Sequence, residues 1–417
     1  MTAKRPRRPS KSKASASAPP SSSASSSSSA SSSAPSSAST RSRSRTRATG
    51  TPPPETPFRD ENAEAASLLM DMVALQPEQD TRRRMAYRRA ANAVLALPEP
   101  VSRYAADDRL SEIAYIGPST ERILREYVDT GRSETVAQAI ATSGRDLQRQ
   151  QELRRNYISQ ALAEAVLAVD ADPSIVSLDD YRGDFQMHST YSDGKQTLAE
   201  IVETSLQLGM ECAAVTDHSY GLPVAHGMSM EAAARQHAEI DALNRRHKGR
   251  FRLFKGVEAN IRGDGTIDME PDELRLFEII VLSPHSGLRS SMDQTARMVK
   301  AVSQPFVDIL GHPRGRRYDM RTGVQVRWRE VFAAAAAHGV AIEIDGFVER
   351  QDIDWLLAAD ALRAGCLFAL DSDGHDPGEL LFYRMAIAHA RLAGIPSDRI
   401  VNCWSNERLM EWTASHR

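Results

Sequence analysis

Six short β-prone runs between residues 185 and 375 each end on a residue able to hold a metal ion. Phe185-Gln-Met runs into His188, Ala213-Ala-Val-Thr into Asp217 and His218, and Leu253-Phe-Lys-Gly-Val into Glu258. Further on, the run 279–284 meets His285, 307–311 meets His312, and 367–372 meets Asp373-Gly-His375. Five of the eleven histidines stand at such ends. The other six, His226, His237, His247, His338, His389 and His416, fall in helical or loop contexts, where polar surface or a satisfied core group is the ordinary explanation. Strand-like runs alternating with helical ones make βα units and a parallel sheet. In a (β/α) barrel the strand C-termini converge on one face, so these imidazoles and carboxylates are expected to meet there. That donor set suits zinc, manganese or iron.

The motifs Gly183-Asp-Phe-Gln-Met-His188-Ser-Thr-Tyr-Ser-Asp193-Gly, Thr216-Asp-His218-Ser, Lys255-Gly-Val-Glu258, Ser283-Pro-His285-Ser, Gly311-His312-Pro and Asp373-Gly-His375 closely resemble the polymerase-and-histidinol-phosphatase (PHP) domain, in the version appended to bacterial family X DNA polymerases. The resemblance implies an α/β fold, a distorted seven-stranded (β/α) barrel. It also implies two or three divalent ions (zinc, manganese or iron) held by His188, Asp193, His218, Glu258, His285, His312, Asp373 and His375, which then carry catalysis. Gln186 stands where the opening motif commonly has histidine and is counted with the metal-side residues as a weaker donor. The implied chemistry is attack on a phosphate ester by a metal-activated water, with no serine or cysteine nucleophile. Arg316, Arg321 and Arg350 match arginines of the polymerase-associated branch and are the phosphate-binding candidates, because a guanidinium offers paired donors to phosphate. Asp217 is expected to orient His218 or another ligand from behind.

Upstream lies a helical module over about 60–143. Its apolar spacing at Ala66, Leu69, Met70 and Val73, and again at Ala91, Val94 and Leu95, is that of amphipathic helices. The stretch from Leu110 to Tyr127 reads as a short helix, a tight turn at Gly117 and a second helix, an arrangement that points backbone N–H groups at a phosphate. With Met85-Ala-Tyr-Arg-Arg-Ala-Ala91 and Asp129-Thr-Gly131, it resembles the N-terminal helix-hairpin-helix domain of family X DNA polymerases. That family places a second glycine where this chain has Tyr115. The resemblance implies DNA as a partner, through Gly117, Ser119, Thr120, Arg88 and Arg89. A Schiff-base lyase needs a lysine, and none occurs between Lys13 and Lys195. The segment 144–180, most of it expected as one amphipathic helix over about 145–169, is too short for a nucleotidyltransferase core, so neither lyase nor polymerase activity is expected.

Residues 1–57 are expected to form a disordered Ser/Ala/Pro-rich arm. The first 54 carry ten basic residues and no acid, although the whole chain has a formal charge of −3. Cys212, Cys366 and Cys403, the only cysteines in 417 residues, rule out a disulfide scaffold or a cysteine-built zinc site. No apolar run approaches membrane-spanning length, and a cytoplasmic location is expected. The plan is therefore arm, hairpin module (60–143), helical linker (144–180) and phosphoesterase barrel (181–417). The favoured function is phosphate-ester hydrolysis at DNA 3′ ends, of the 3′-phosphatase or 3′-5′ exonuclease type. Two rivals stand beside it: a small-molecule phosphatase of the histidinol-phosphatase type, and a non-catalytic, metal-stabilised DNA-binding protein.

Overall fold

The computed structural model describes residues 59–169 and 172–417, so the arm expected over 1–57 lies outside the described residues. Five helices open the described chain: α1 (Glu61–Leu75), α2 (Thr81–Leu95), α3 (Val101–Ala106), α4 (Pro118–Thr130) and α5 (Glu134–Ser143). They enclose their own core of Leu69, Met70, Ala90, Val94, Leu110, Ile123, Leu124 and Tyr127. Asn62, buried on α1, ties the start of α3 by donating from Nδ2 to the Glu99 carbonyl (3.0 Å) and accepting at Oδ1 from the Val101 amide (2.7 Å).

The single helix expected over 145–169 is instead two, α6 (Gln148–Glu152) and α7 (Gln160–Ala168). Asn156 takes the left-handed conformation (φ 59°) between them, and the Ser159 hydroxyl caps a fresh helix by accepting from the Leu162 amide. α7 belongs to the barrel: Leu162, Ala163 and Val166 pack in its outer core. Among the described residues 134–180 there is no strand, so nothing there resembles a nucleotidyltransferase sheet.

Seven parallel strands follow: β1 (Gly183–Asp184), β2 (Cys212–Val215), β3 (Arg252–Asn260), β4 (Ile279–Ser283), β5 (Ile309–Leu310), β6 (Ala341–Asp345) and β7 (Leu367–Asp371), paired in chain order. Met187 bridges to Gly374 beyond β1 and β7, and Asn402 donates to both the Gly183 and Leu370 carbonyls, so the sheet curls nearly into a closed barrel. β6, which ends on no histidine, is the strand that the strand-end pattern does not single out.

Successive side chains alternate faces, and along each strand the inward set changes character from bottom to top. Phe254, Ile279, Val281, Ala341 and Ala369 form the apolar lower interior, plugged by Val401, Trp404 and Leu409 of the C-terminal segment. Two residues further along each strand come Gly256 and then Glu258, Ser283, Glu343 and Asp345, Asp371 and Asp373, most of them fully buried. The outward set, among it Leu253, Ile280, Leu282, Ile342 and Phe368, packs under the surrounding helices. The apolar plug carries the stability of the barrel, and the polar upper end is where its chemistry gathers.

Candidate metal centre

Glu258, the inward residue of β3 beyond Gly256, sits fully buried at the middle of a ring of histidines. His312 Nε2 and His218 Nδ1 each lie 2.8 Å from its carboxylate, His285 Nε2 lies at 3.5 Å and His188 Nε2 at 3.6 Å. Two donor groups result. His188, Asp193, His218 and His375 bring one ligand atom each to within 4.8 Å of one another, and so do His218, Glu258 and His285. His218 is common to both. Asp373 joins at the edge, its Oδ1 3.2 Å from His188 Nε2. The strand-end residues expected to meet therefore do meet.

The surroundings fix how the imidazoles face inward. His285 donates from Nδ1 to Asn260 Oδ1 (2.7 Å), and His375 donates from Nδ1 to the Asp373 carbonyl (2.8 Å), which leaves the Nε2 lone pair of each facing the centre. His285 Nε2 is buried without a hydrogen-bond partner, and the nearest polar group to the buried Glu258 Oε2 is another donor of the cluster, His218 Nδ1 at 2.8 Å. Lone pairs crowded this way repel unless a cation lies between them, so the residues present fit divalent metal ions. The backbone is bent to the same end: His312 (φ 23°) and Asp373 (φ 52°) both hold positive φ. Gly311 precedes His312 because a Cβ there would stand 2.3 Å from Ser283 Oγ.

Charge is polarised across the centre. Burial disfavours the ionised Glu258 carboxyl, but His218 and His285 outweigh it and hold the group well below the usual carboxylate range. Burial likewise opposes charge on His218, yet Glu258 and Asp193 push it up to about 9. His188 and His285 are both lowered, chiefly by burial. Burial opposes ionisation of Asp373, but Arg350, with Nε 3.1 Å from Oδ2, reverses the balance and holds it low. Below them Asp184, Glu343 and Asp345 are raised by burial, and Asp371 is pushed to about 6. Strand-end reasoning missed this lower acidic layer, in which Glu343 Oε2 accepts from the His312 amide. The alternation Ala341-Ile-Glu-Ile-Asp was its signal.

The other residues named from the sequence take varied positions. Asp217 makes no hydrogen bond to His218. It accepts from the Ser189 amide (2.8 Å), the Ser189 hydroxyl (2.6 Å), Ser192 and Gln236, and so fixes the loop between His188 and Asp193. Gln186 lies inside the barrel beside Gly311, with both amide atoms lacking a partner. Arg316 is not open to a phosphate. It is 2% exposed, its ring neighbour is Tyr157 at 4.0 Å, and it donates to the Arg155, Asn156, Arg350 and Gln351 carbonyls and to Asp354. Five acceptors saturate its five donors, which makes it the pin between the linker and the loop carrying Arg350. Arg350 reaches the centre. Arg321 donates from Nε to the Gly315 carbonyl (2.7 Å) and lines a cavity of about 90 Å³ with Arg155, Arg314 and Thr322.

In the helical module the Thr120 hydroxyl is spent on Gly117: it accepts from the Gly117 amide (2.8 Å) and donates to its carbonyl (2.9 Å), so neither group is free for a phosphate. Pro118 has no N–H, which leaves exposed Ser119 at the open first turn of α4. Arg88 is engaged across the seam with Asp319 of the barrel (3.7 Å), whereas Arg89 stays exposed beside Tyr115.

The PHP domain family model matches residues 184–345, and the helix-hairpin-helix domain model matches residues 60–133. The barrel is a PHP domain. The PHP fold extends past the matched span, because β7, Asp373 and His375 lie beyond residue 345. The chain thus joins a helix-hairpin-helix domain to a domain of the metal-dependent phosphoesterases. It is 31% identical over 232 residues to the DNA polymerase/3′-5′ exonuclease PolX of Bacillus subtilis, an alignment covering 55% of this chain but 40% of that protein. A probable phosphatase of Thermoanaerobacter sp. (strain X514) is 26% identical over 217 residues, covering 49% of this chain and 83% of that protein. Among solved structures, histidinol phosphate phosphatase of Lactococcus lactis, complexed with zinc, L-histidinol and phosphate, aligns over 52% of this chain and 94% of that one. Its identity is 16% and its TM-score 0.41. No described helix is long and apolar enough to cross a membrane.

Proposed function

We propose that this chain hydrolyses phosphate esters at DNA 3′ ends, removing a 3′-phosphate or a 3′-terminal nucleotide. The observation that carries the reading is the seam between the two domains. Arg154 on the linker is buried and pairs with Asp71 of α1 and with Asp319 of the barrel (3.1 Å). Tyr318, next to Asp319, packs against the helical core. The PHP face that follows β5 and β6 is thus fastened to the module that resembles a DNA-binding one, and that attachment supports reading the two as one DNA-processing unit.

His188, Asp193, His218 and His375 would hold one divalent ion, and Glu258 with His218 and His285 a second, with His312 and Asp373 at the flanks. Bound there, such ions supply an acidified water and positive charge for the phosphate oxygens. The chain's own groups do the rest. Asn260 and the Asp373 carbonyl keep His285 and His375 oriented. Arg350, half-buried beside Asp373, offers its remaining donors to a phosphate oxygen. Arg321 has no carboxylate partner among the described residues and suits a second, neighbouring phosphate.

The test is incubation with manganese or zinc and a duplex bearing a recessed 3′-phosphate, beside a free phosphomonoester. Release from the duplex, abolished in His188→Ala and Asp373→Ala, is the expected result. Turnover of the free ester alone would assign the site to small-molecule metabolism, consistent with the phosphatase relatives that match the barrel.

A further inference from the structure

The loop that follows β6 carries Arg350, and on the side facing the linker close packing does not hold it. A cavity of about 700 Å³ opens there between Ile158, Ala163, Val348, Leu381 and Met385, and Val348 is left 43% exposed. Where apolar side chains do not meet, polar ties fix the loop instead. Arg350 depends on them, because its reach to Asp373 (Nε to Oδ2, 3.1 Å) is set by where the backbone of this loop stands.

Gln351 supplies the most complete of these ties. It is buried, and its amide nitrogen donates to the Ile158 carbonyl (2.9 Å) and the Val348 carbonyl (3.3 Å), while Oε1 accepts from the Ile158 amide (2.8 Å) and from His389 Nε2 (2.9 Å). Both donors and both lone pairs of the side chain are therefore used. They join three separate segments: the linker, the loop itself and the helix Tyr383–Leu392. Two neighbours add to the clasp, since the Tyr157 hydroxyl donates to the Glu349 carbonyl (3.2 Å) and Arg316 Nε to the Arg350 carbonyl (2.9 Å). The four partners of the Gln351 side chain include no residue of the metal centre, so its influence there passes through the backbone it shares with Arg350.

We propose that Gln351 is a positioning residue for phosphate: clasped to Ile158 and His389, it holds Arg350 where the guanidinium meets a phosphate oxygen at the metal centre. The linker is then part of the phosphate site and not only a connection between domains. This rests on the reading of Arg350 given above and adds to it the group that sets its place. Gln351→Met keeps the length of the side chain and removes all four hydrogen bonds. A purely structural loss would lower stability and leave phosphate affinity alone.

The experiment loads the full chain with manganese and measures inorganic phosphate binding by titration calorimetry, KM and kcat for a free phosphomonoester, bound ions by elemental analysis and stability in denaturant. It compares the wild type, Gln351→Met, Arg350→Ala and the double variant. Gln351→Met is expected to keep its ions and to weaken phosphate, with a matching rise in KM, by roughly tenfold to a hundredfold, the range for one charge-assisted hydrogen bond. In the Arg350→Ala background it is expected to change phosphate affinity no further, because both residues act through one contact. Gln351→Glu, which keeps the accepted bonds and loses the donated ones, takes the place of Gln351→Met if that variant does not fold. Phosphate affinity untouched in the Gln351 variant, or a loss that adds to that of Arg350→Ala, overturns the positioning role and leaves Arg350 as a phosphate group. Arg350→Ala matching the wild type, including a wild type that binds no phosphate, overturns the reading of Arg350 and the proposal with it.

Discussion

Asn260 governs His285 through one 2.7 Å hydrogen bond to Nδ1 and is itself held by Ser219 and Asp268. Removing it leaves His285 free to turn or change tautomer, so Asn260→Ala is expected to weaken metal affinity by about 10- to 100-fold without unfolding the barrel, as read by metal titration of the stripped protein. Tyr115→Gly works in the other direction at the hairpin. Relieving the left-handed conformation of Tyr115 (φ 64°) is expected to stabilise the helical domain by about 1 kcal/mol in denaturant unfolding, less whatever the Arg89 contact supplied. A third residue reports on pH. His389 is fully buried, accepts at Nδ1 from the Trp355 amide (3.1 Å) and donates from Nε2 to Gln351 (2.9 Å). Burial lowers it to about 3 from an ordinary 6.5. A depressed histidine is neutral when folded and takes up its proton when unfolded, so its contribution is present above pH 6.5 and is lost as pH falls toward 3. The denaturation midpoint is expected to drop on acidification, and His389→Gln to flatten that part of the curve.

At the scale of elements, the strand-end donors were legible because a period-2 strand, a ligand at its C-terminal end and a following helix leave a local pattern in the chain. His188, His218, Glu258, His285, His312 and Asp373 needed nothing more. The remainder depends on partners far apart in sequence. Nothing local to Arg316 distinguishes a phosphate clamp from a buried pin; the difference lies in the Arg155 and Asn156 carbonyls, some 160 residues away, which occupy its donors. The break between α6 and α7 was hidden for a related reason: Ser159 caps α7 while its amide and hydroxyl both donate to Asp60 at the start of α1, 99 residues upstream. β6 was obscured because Glu343 and Asp345 serve from beneath rather than at the rim. Arg316→Ala strips five acceptors of their donor at once, among them the buried ion-pair partner Asp354, and is expected to destabilise the chain by about 3 to 5 kcal/mol in denaturant unfolding. It should also raise the KM for a phosphate ester, since Arg350 then loses its fixed loop.

Across the whole molecule, the helical module, the linker and the PHP barrel are joined by buried contacts rather than by a loose tether. Gln351 donates to the Ile158 carbonyl (2.9 Å) and accepts from its amide (2.8 Å), and the half-exposed pair Arg384–Glu164 (2.6 Å) adds to them nearer the surface. The residue that follows Arg350 in the chain therefore grips the linker directly. The chemistry depends on the metal centre being a working divalent-ion site. The most direct test is to strip the protein with chelator, titrate manganese or zinc back while counting bound ions by elemental analysis, and follow hydrolysis of a phosphate ester in the same samples. At least two ions per chain in the wild type, activity that rises with occupancy, and loss of both ions and turnover in Glu258→Gln are expected. Full turnover in the stripped protein, or a Glu258→Gln variant that binds ions and hydrolyses the ester like the wild type, would contradict it.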